Sequence, residues 1–347
     1  MRTLASIQRI WDVQPIEGAD RIELVQVCGW KCVANKGQFQ KGDLGVYFEI
    51  DSFLPVRPEF EFLRTSCYKN TNIMGEGFLL RTRTFKGQIS QGLVLPLSAF
   101  SEIPAEADIG MDVTELLGVK KWEIEERATT GGTVIGKLPS CVPHTDETRI
   151  QSNPDLLEEF RNREYYISTK MDGSSHSLCI DKDGFHVCGH NYEYRDDDSN
   201  SFYKFVKKKN YREWMEKFYN TQNLESLVVQ GEFCAPGIQK NRLKLAQPEW
   251  FVFTIMVNGS RVDLNTMLTM AAIFDMPTVP IEEQDFNLPA KYPTVDALLA
   301  RADGDYPNGG KKEGIVIRTV EPVYSPTIGG PLSIKVVNNK YLLKNGE

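Results

Sequence analysis

Lys170, Met171, Asp172 and Gly173 place an amine, a carboxylate and a turn-forming glycine within four positions, between two runs that alternate as strands do, residues 165–169 and 175–180. A neutral lysine amine is a nucleophile towards phosphorus. It forms a phosphoramidate by expelling a leaving group, which divides one difficult condensation into easier steps. An ordinary lysine has a pKa of about 10.4, so neighbouring cations, a divalent metal above all, must favour the neutral form. Transfer at phosphorus also needs charge compensation on the nonbridging oxygens, which metal ions and lysines supply. Taken alone, the tetrapeptide reads equally well as a hairpin with Asp172-Gly173 as its turn and Lys170 in solvent.

Further groups suited to such chemistry follow in order along the chain. Gly231-Glu232-Phe233 closes a strand, residues 250–255 form another, and Lys312-Glu313-Gly314-Ile315-Val316-Ile317 and Ser333-Ile334-Lys335-Val336-Val337 come last. Each also has a purely structural reading: Glu313 as a solvated turn carboxylate, Phe253 as core, Lys335 as a surface strand lysine. Phe251 competes with Phe253 for any stacking role, because alternate residues of a strand share a face.

The elements that position these groups divide at a break in the pattern. From Arg21 the chain alternates through residues 22–27, 30–33, 45–50, 78–83 and 92–97, with turn residues between, which predicts a small barrel of about five strands. Residues 37–43 and Ser90-Gln91-Gly92-Leu93 resemble OB-type modules of tRNA-binding proteins. Charges, then Thr129-Thr130-Gly131-Gly132-Thr133 and two prolines, mark a linker. The boundaries expected are 1–125 for the OB-like domain, 126–142 for the linker and 143–347 for the second domain. In the latter, Asn153-Pro154 opens a helix, strands fall at 165–169, 175–180, 185–188, 228–233, 250–257, 314–318 and 333–337, and helices span 201–218, 265–274 and 295–301. The fold class is α+β: an OB-type β-barrel followed by a mixed domain of antiparallel sheets flanked by helices.

Composition bounds the rest. The 347 residues carry 40 Lys and Arg against 47 Asp and Glu, a net charge of −7, which excludes a wholly basic nucleic-acid binder but not a local basic groove. Seven scattered cysteines, an odd number, show no zinc spacing, and His144, His176 and His186 form none either. Reduced thiols, no long apolar run and no leader-like N-terminus predict a reducing, intracellular protein that spans no membrane; cytoplasm, nucleus and organelle are not distinguished. Residues 202–209 interleave aromatics with lysines on a helix, either as a basic stripe for a phosphate backbone or as a solvated face around an apolar one. Arg81, Arg83 and Lys86 offer a second basic surface.

The ordered set around Lys170, Glu232, residues 250–255, Glu313 and Lys335 resembles the motifs of the covalent nucleotidyltransferase superfamily of ATP-dependent ligases and mRNA-capping enzymes. Residues 143–151, Gly231-Glu232-Phe233-Cys234-Ala235-Pro236-Gly237 and Asn338-Asn339-Lys340-Tyr341 resemble RNA ligases within it, above all the Naegleria and Deinococcus type, in which an OB module precedes the ligase domain. The chain ends a few residues beyond Lys340, so no OB module is expected after that point, unlike DNA ligases and capping enzymes.

The resemblance implies an ATP-dependent RNA ligase that joins a 3′-hydroxyl to a 5′-phosphate through a lysyl-AMP on Lys170 and an adenylylated RNA end. Its partner is RNA, as a nicked duplex, and its working form a monomer. It implies Glu313 as the carboxylate holding Mg²⁺ or Mn²⁺, with Asp172 in the hydrated shell, and Glu232 on the ribose hydroxyls. Phe253 stacks on adenine, Lys335 touches the α-phosphate, and Gly173 and Lys312 belong to the nucleotide contact. Arg149 grips the β- or γ-phosphate or the RNA 5′-phosphate, unless it is a helix-surface arginine. Related ligases carry a second lysine two positions after Lys335; here that place is Val337, and Lys340 is the substitute. His190 stands where relatives carry arginine. Guanylyl transfer from GTP and plain RNA binding are the alternatives.

Overall fold

The computed structural model describes residues 3–123, 130–197 and 199–345. Contacts group the chain into two compact units: Met1–Glu125 with Gln151–Pro154 and Asn339–Glu347, and Glu126–Ile150 with Asp155–Asn338.

In the first unit, β1 (Ala5–Pro15), β2 (Ile22–Val27), β3 (Trp30–Asn35), β4 (Leu44–Phe48) and β5 (Leu93–Pro96) form an antiparallel sheet in the order β5-β4-β1-β2-β3. A second, four-stranded sheet pairs Ser52–Leu54, Tyr68–Thr71, Gly75–Leu79 and Lys120–Lys121. Phe48, Phe60, Phe78 and Phe100 are buried at the centre with Ile7, Val46 and Leu54, the inward residues of alternating strands. Of the five runs expected to form the barrel, 22–27, 30–33, 45–50 and 92–97 fall on β2, β3, β4 and β5, whereas 78–83 begins on Gly75–Leu79 of the second sheet; β1, which was not expected, completes the first sheet, and the additional strands curl the unit closed. Gly92 is required by geometry: at φ +87° its absent Cβ would lie 2.3 Å from the Phe48 carbonyl oxygen.

The second unit is built on two sheets. Seven strands, β6 (Val134–Lys137), β9 (Ser174–Asp181), β10 (Gly184–Cys188), β11 (Tyr192–Tyr194), β12 (Leu227–Cys234), β13 (Glu249–Val257) and β14 (Ser260–Arg261), run in the order β6-β11-β10-β9-β12-β13-β14. The other sheet orders β7 (Thr148–Arg149), β17 (Ser333–Val337), β16 (Gly314–Thr319), β8 (Glu164–Lys170) and β15 (Ile281–Phe286) as β7-β17-β16-β8-β15. On β8 the alternation serves two cores. Tyr165 and Ile167 bury with Leu288, Leu298 and Ile315, while Tyr166 faces Phe202, Trp250 and Val252 on the opposite side.

Several local outcomes differ from the sequence expectation. Residues 126–129 of the expected linker lie outside the described residues, and Val134–Lys137 within it is not linker but β6, paired with β11. The helix expected over 201–218 is two helices, α1 (Ser201–Lys209) and α2 (Tyr211–Gln222), because Asn210 takes a left-handed conformation at φ 56° and caps the first. After Asn153-Pro154 the helix is a short one at Leu156–Glu159, led by Asp155 rather than Asn153. Two further helices, α3 (Leu264–Ile273) and α4 (Val295–Ala302), start where Asp263 and Thr294 accept N-terminal amides. Among the described residues no helix is long and apolar enough to cross a membrane.

The register of β12 on β13 slips at Gly231, so that Gln230 faces Thr254, Gly231 faces Val252, and Phe253 is the extra residue of a bulge. Gly231 permits this: a Cβ there would stand 2.7 Å from both the Phe251 carbonyl oxygen and Trp250 Nε1. Replacing it, Gly231→Ala, is expected to destabilise the unit by about 1–3 kcal/mol, as overpacking does. Urea unfolding with the wild type alongside measures this, and an unchanged midpoint would show that the bulge tolerates a methyl group.

Candidate active site

Lys170 ends β8, where it pairs with Gly314 at the start of β16. The pairing brings the residue before Gly314 against the lysine: Lys170 Nζ lies 2.5 Å from Glu313 Oε1, with the two side chains 24% and 15% exposed. Gly314 makes the junction possible, since at φ +155° a Cβ would collide with the Val336 carbonyl oxygen of β17 at 2.1 Å. Lys335, on β17, pairs with Val316 and lies on the same cavity. The cavity encloses about 200 Å³, and Lys170, Glu232, Phe253, Arg318, His190 and Lys335 are among the residues that line it.

Carboxylates crowd the Lys170 ammonium. Burial pushes the Lys170 ammonium down, but Glu313, Glu232 and Asp172 outweigh it and hold its pKa above the ordinary lysine value. Burial drives Glu232 the other way, up to about 7, with Lys170 pulling against it and Glu313 adding to it. Glu232 also accepts the Gly173 amide at 3.2 Å. Gly173 has no room for a side chain, because a Cβ would meet the Phe233 carbonyl oxygen at 2.5 Å and Cys234 Sγ at 2.7 Å. The carboxylate oxygens of Glu313 and Asp172 are hard donors suited to Mg²⁺ or Mn²⁺, and such an ion takes one or two carboxylates with water and phosphate oxygens as its other ligands. Asp172 is 4% exposed and bonded to the Arg242 guanidinium, which fixes its orientation.

Of the two phenylalanines Phe253 lines the cavity and Phe251 does not, and both pack beside Met171 and Leu243. Behind Phe253 stands Arg318, its guanidinium 5.6 Å from the ring centroid. Arg318 is 5% exposed and donates to Glu147 Oε1 at 2.6 Å, Ser333 Oγ at 2.9 Å and Thr254 Oγ1 at 3.1 Å. Burial opposes charge on Glu147, yet Arg318 and Arg261 hold its carboxyl below the usual range.

Lys312 does not line the cavity; it is 6% exposed and gives Nζ to both oxygens of Glu282 at 2.8 Å, while its neighbour Glu313 turns to Lys170. Arg149 is on a strand rather than a helix, half-buried on β7 beside Lys335. Lys340 belongs to α5 (Asn339–Asn345) in the first unit. His190 does reach the cavity, 3.5 Å from Thr145 Oγ1 and 3.6 Å from Asp146 Oδ2. On α1 the aromatics Phe202, Tyr203 and Phe205 are buried and the lysines exposed, with Lys207 paired to Asp196 at 2.6 Å. Arg83 and Lys86 are exposed on a hairpin of the first unit, and Arg81 is half-buried beside it.

The sequence reading missed Tyr306 and Arg242. Tyr306, 4% exposed, donates its hydroxyl to the Lys170 carbonyl oxygen at 2.7 Å and accepts the Glu313 amide at 3.1 Å. One hydroxyl thus spans the backbone of both residues that meet in the 2.5 Å pair. The loop that carries it closes on Arg242: the Gly310 amide donates to the Arg242 carbonyl oxygen at 3.1 Å. A lone tyrosine between Asp305 and Pro307 carries no periodic signal.

Comparison with known proteins bears on this geometry. An RNA ligase family model matches residues 163–337, and an OB-fold domain model matches residues 4–97. The structure superposes on Naegleria gruberi RNA ligase with pyrophosphate at a TM-score of 0.86 and 31% identity, covering 99% of this chain and 98% of that one. The chain belongs to the RNA ligase family. A mutant of the Naegleria gruberi ligase with ATP and manganese gives a TM-score of 0.87 at 31% identity over 98% of both chains, and another mutant without ligand gives 0.86 at 30% over 98% and 97%. No curated protein matches this ligase by sequence. The order of domains, OB-fold then ligase, is the one the motifs imply.

Two measurements test the site. Tyr306→Phe keeps the ring and removes both hydroxyl contacts, so at about 1 kcal/mol or more each it should slow labelling of the protein by nucleotide roughly tenfold or more while the fold stays intact by circular dichroism. Glu232 binds its proton more tightly when folded, so between pH 4.5 and about 7 the native state holds more protons than the unfolded one, and this group lowers stability as pH rises through that window. Glu232→Gln should therefore gain in Tm relative to wild type from pH 4.5 to 7 and hold a constant difference above it; a difference that shrinks with pH would contradict the assignment.

Proposed function

We propose that this ligase seals a 3′-hydroxyl to a 5′-phosphate in RNA at the expense of ATP, with Lys170 as the nucleophile. The neutral Lys170 amine attacks the α-phosphorus of ATP, forming a phosphoramidate to AMP and expelling pyrophosphate. The AMP then passes to the RNA 5′-phosphate, restoring the lysine and leaving a 5′-5′ pyrophosphate linkage. The 3′-hydroxyl attacks that end, forms the phosphodiester and releases AMP.

The observation that carries this reading is the Lys170 and Glu313 contact at 2.5 Å inside a cavity that also holds Glu232, Phe253 and Lys335. The nucleophile rests as an ammonium held by carboxylates, which keeps it inert until the substrate's charges enter. Glu313 and Asp172 are the residues that hold a divalent ion, Mg²⁺ or Mn²⁺. When bound, the ion neutralises phosphate charge and favours the uncharged amine. With Glu313 drawn away from Nζ, Lys170, which is partly open to solvent, releases its proton to water and its lone pair is free. Solved relatives contain ATP or AMP with manganese, in keeping with this division of labour.

Each remaining residue has one task. Glu232 accepts the ribose hydroxyls, for which it must be ionised. Phe253 offers one ring face to adenine while Arg318 backs the ring, and Lys335 meets the α-phosphate as a mobile point charge. Gly173 lets the backbone approach the nucleotide, and Arg149 binds a terminal phosphate. The polynucleotide is RNA with a nick in a duplex, the enzyme acts as a monomer, and sealing breaks places it in RNA repair.

Incubation with α-labelled ATP or GTP and Mg²⁺ or Mn²⁺, followed by denaturing electrophoresis and peptide mapping, tests the first step. Label from ATP on the peptide containing Lys170, absent from Lys170→Ala, is expected. Label from GTP alone would move the enzyme to cap-forming chemistry, and absence of label with any metal would leave RNA binding without catalysis. Sealing of nicked duplex at least tenfold faster than of single-stranded ends is expected next, and equal rates would exclude the duplex preference.

A further inference from the structure

Outside the cavity, the fold assembles a second group of ligand atoms from residues that no sequence spacing connects. Cys141 lies in the segment between β6 and β7, and Cys179 and Asp181 lie on β9. The Cys141 and Cys179 sulfurs are 2.8 Å apart, and Cys141 Sγ is 3.5 Å from Asp181 Oδ2. All three donor atoms lie within 4.8 Å of one another. Cys179 is buried, and Cys141 and Asp181 are half-buried, so the group is reached from one side.

What stands behind the group matters as much as the group. The other oxygen of Asp181 receives His186 Nε2 at 3.1 Å and the Asp183 amide at 2.8 Å, and His186 Nδ1 donates to Glu193 Oε1 at 2.7 Å. Glu193, His186 and Asp181 therefore form a relay that holds one carboxylate oxygen towards two thiols. Outer partners that fix the direction of a ligand are the usual surroundings of a bound metal. A disulfide between the two cysteines would use neither the carboxylate nor the imidazole behind it.

We propose that Cys141, Cys179 and Asp181 form a binding site for zinc, distinct from the Mg²⁺ or Mn²⁺ of the active site. Two thiolates and one carboxylate suit a borderline-soft ion and leave a fourth, outward position to water. Two sulfurs on one tetrahedral zinc stand about 3.7 Å apart, given Zn–S of about 2.3 Å. Entry of the metal thus requires Cys141 to move outwards by roughly 1 Å from its place in the turn. Binding releases the two thiol protons to solvent and involves no oxidant. The site ties residues 138–142 to β9, and a few positions further on the same segment supplies Thr145, Asp146 and Glu147 to the cavity wall.

The full chain, reduced and stripped with chelator, is titrated with zinc in competition with a chromophoric chelator, and separately with cobalt to read thiolate-to-metal charge transfer. One zinc per chain, retained in excess Mg²⁺, and a thiolate–cobalt absorption are expected. Cys141→Ser and Asp181→Asn should abolish both, His186→Ala should weaken zinc binding by about 10–100-fold, and Cys28→Ser should change nothing. Cys179→Ser alters a buried position, so the half-buried Cys141 and Asp181 variants carry the decision, each checked for a native circular dichroism spectrum. The proposal is overturned by the absence of stoichiometric zinc, by zinc binding that survives Cys141→Ser, or by a mass two hydrogens lower showing Cys141 and Cys179 joined to each other.

Discussion

The site depends on one electrostatic constraint: an ammonium must be kept beside carboxylates in a half-buried cavity without either partner being trapped there. The fold meets it by placing Lys170 at the last ladder position of a central strand and Glu313 just before the first position of its neighbour. Side chains at strand ends answer to the backbone on one side only, so the pair can separate while the sheet stays intact. Burying an ion pair is costly unless each charge is well satisfied. Here the carboxylates around Lys170 provide that satisfaction for its ammonium, and the Arg242 guanidinium provides it for Asp172. Burial, with Glu313 adding to it, raises the affinity of Glu232 for protons, so the carboxylates that hold the lysine also keep the site sensitive to added positive charge.

Much of this was legible in the sequence where chemistry and periodicity coincide. The strands carrying Lys170, Glu232, Phe253 and Lys335, and the one that Glu313 precedes, were found within one or two residues, because each is an apolar run bounded by glycine, proline or a charged pair. The order of the motifs added what spacing could not, namely that these separated runs belong to one site. What was illegible has physical causes. A bulge at Gly231, which leaves Phe253 opposite no residue of β12, is invisible to a period of two. Lys312 and Glu313 are adjacent and equally charged in magnitude, but backbone direction at the entry to β16 sends one to Glu282 and the other to Lys170.

The supporting residues were the hardest to foresee. Tyr306 and Arg242 sit in irregular loops whose form depends on closures such as the Gly310 amide on the Arg242 carbonyl. Tyr306 acts through main-chain contacts and Arg242 through its guanidinium on Asp172, and no residue spacing advertises either. The break at Asn210 is similar, since asparagine tolerates the left-handed conformation but does not require it. The thiols of Cys141 and Cys179 meet only because β9 returns beneath the segment before β7, a long-range event that residue spacing does not encode.

The position of β8 in its sheet has a consequence for synthesis. It lies between β16 and β15, yet both neighbours follow it by more than a hundred residues. At roughly 5–20 residues per second, Tyr165, Tyr166 and Ile167 wait on the order of ten seconds on the ribosome with both hydrogen-bonding edges open. The nascent chain thus carries the strand of Lys170 as an aggregation-prone ribbon until translation reaches the strands that flank it. Pausing between β8 and β15, or loss of a chaperone that shields such edges, would be felt first as loss of soluble enzyme rather than as slower turnover.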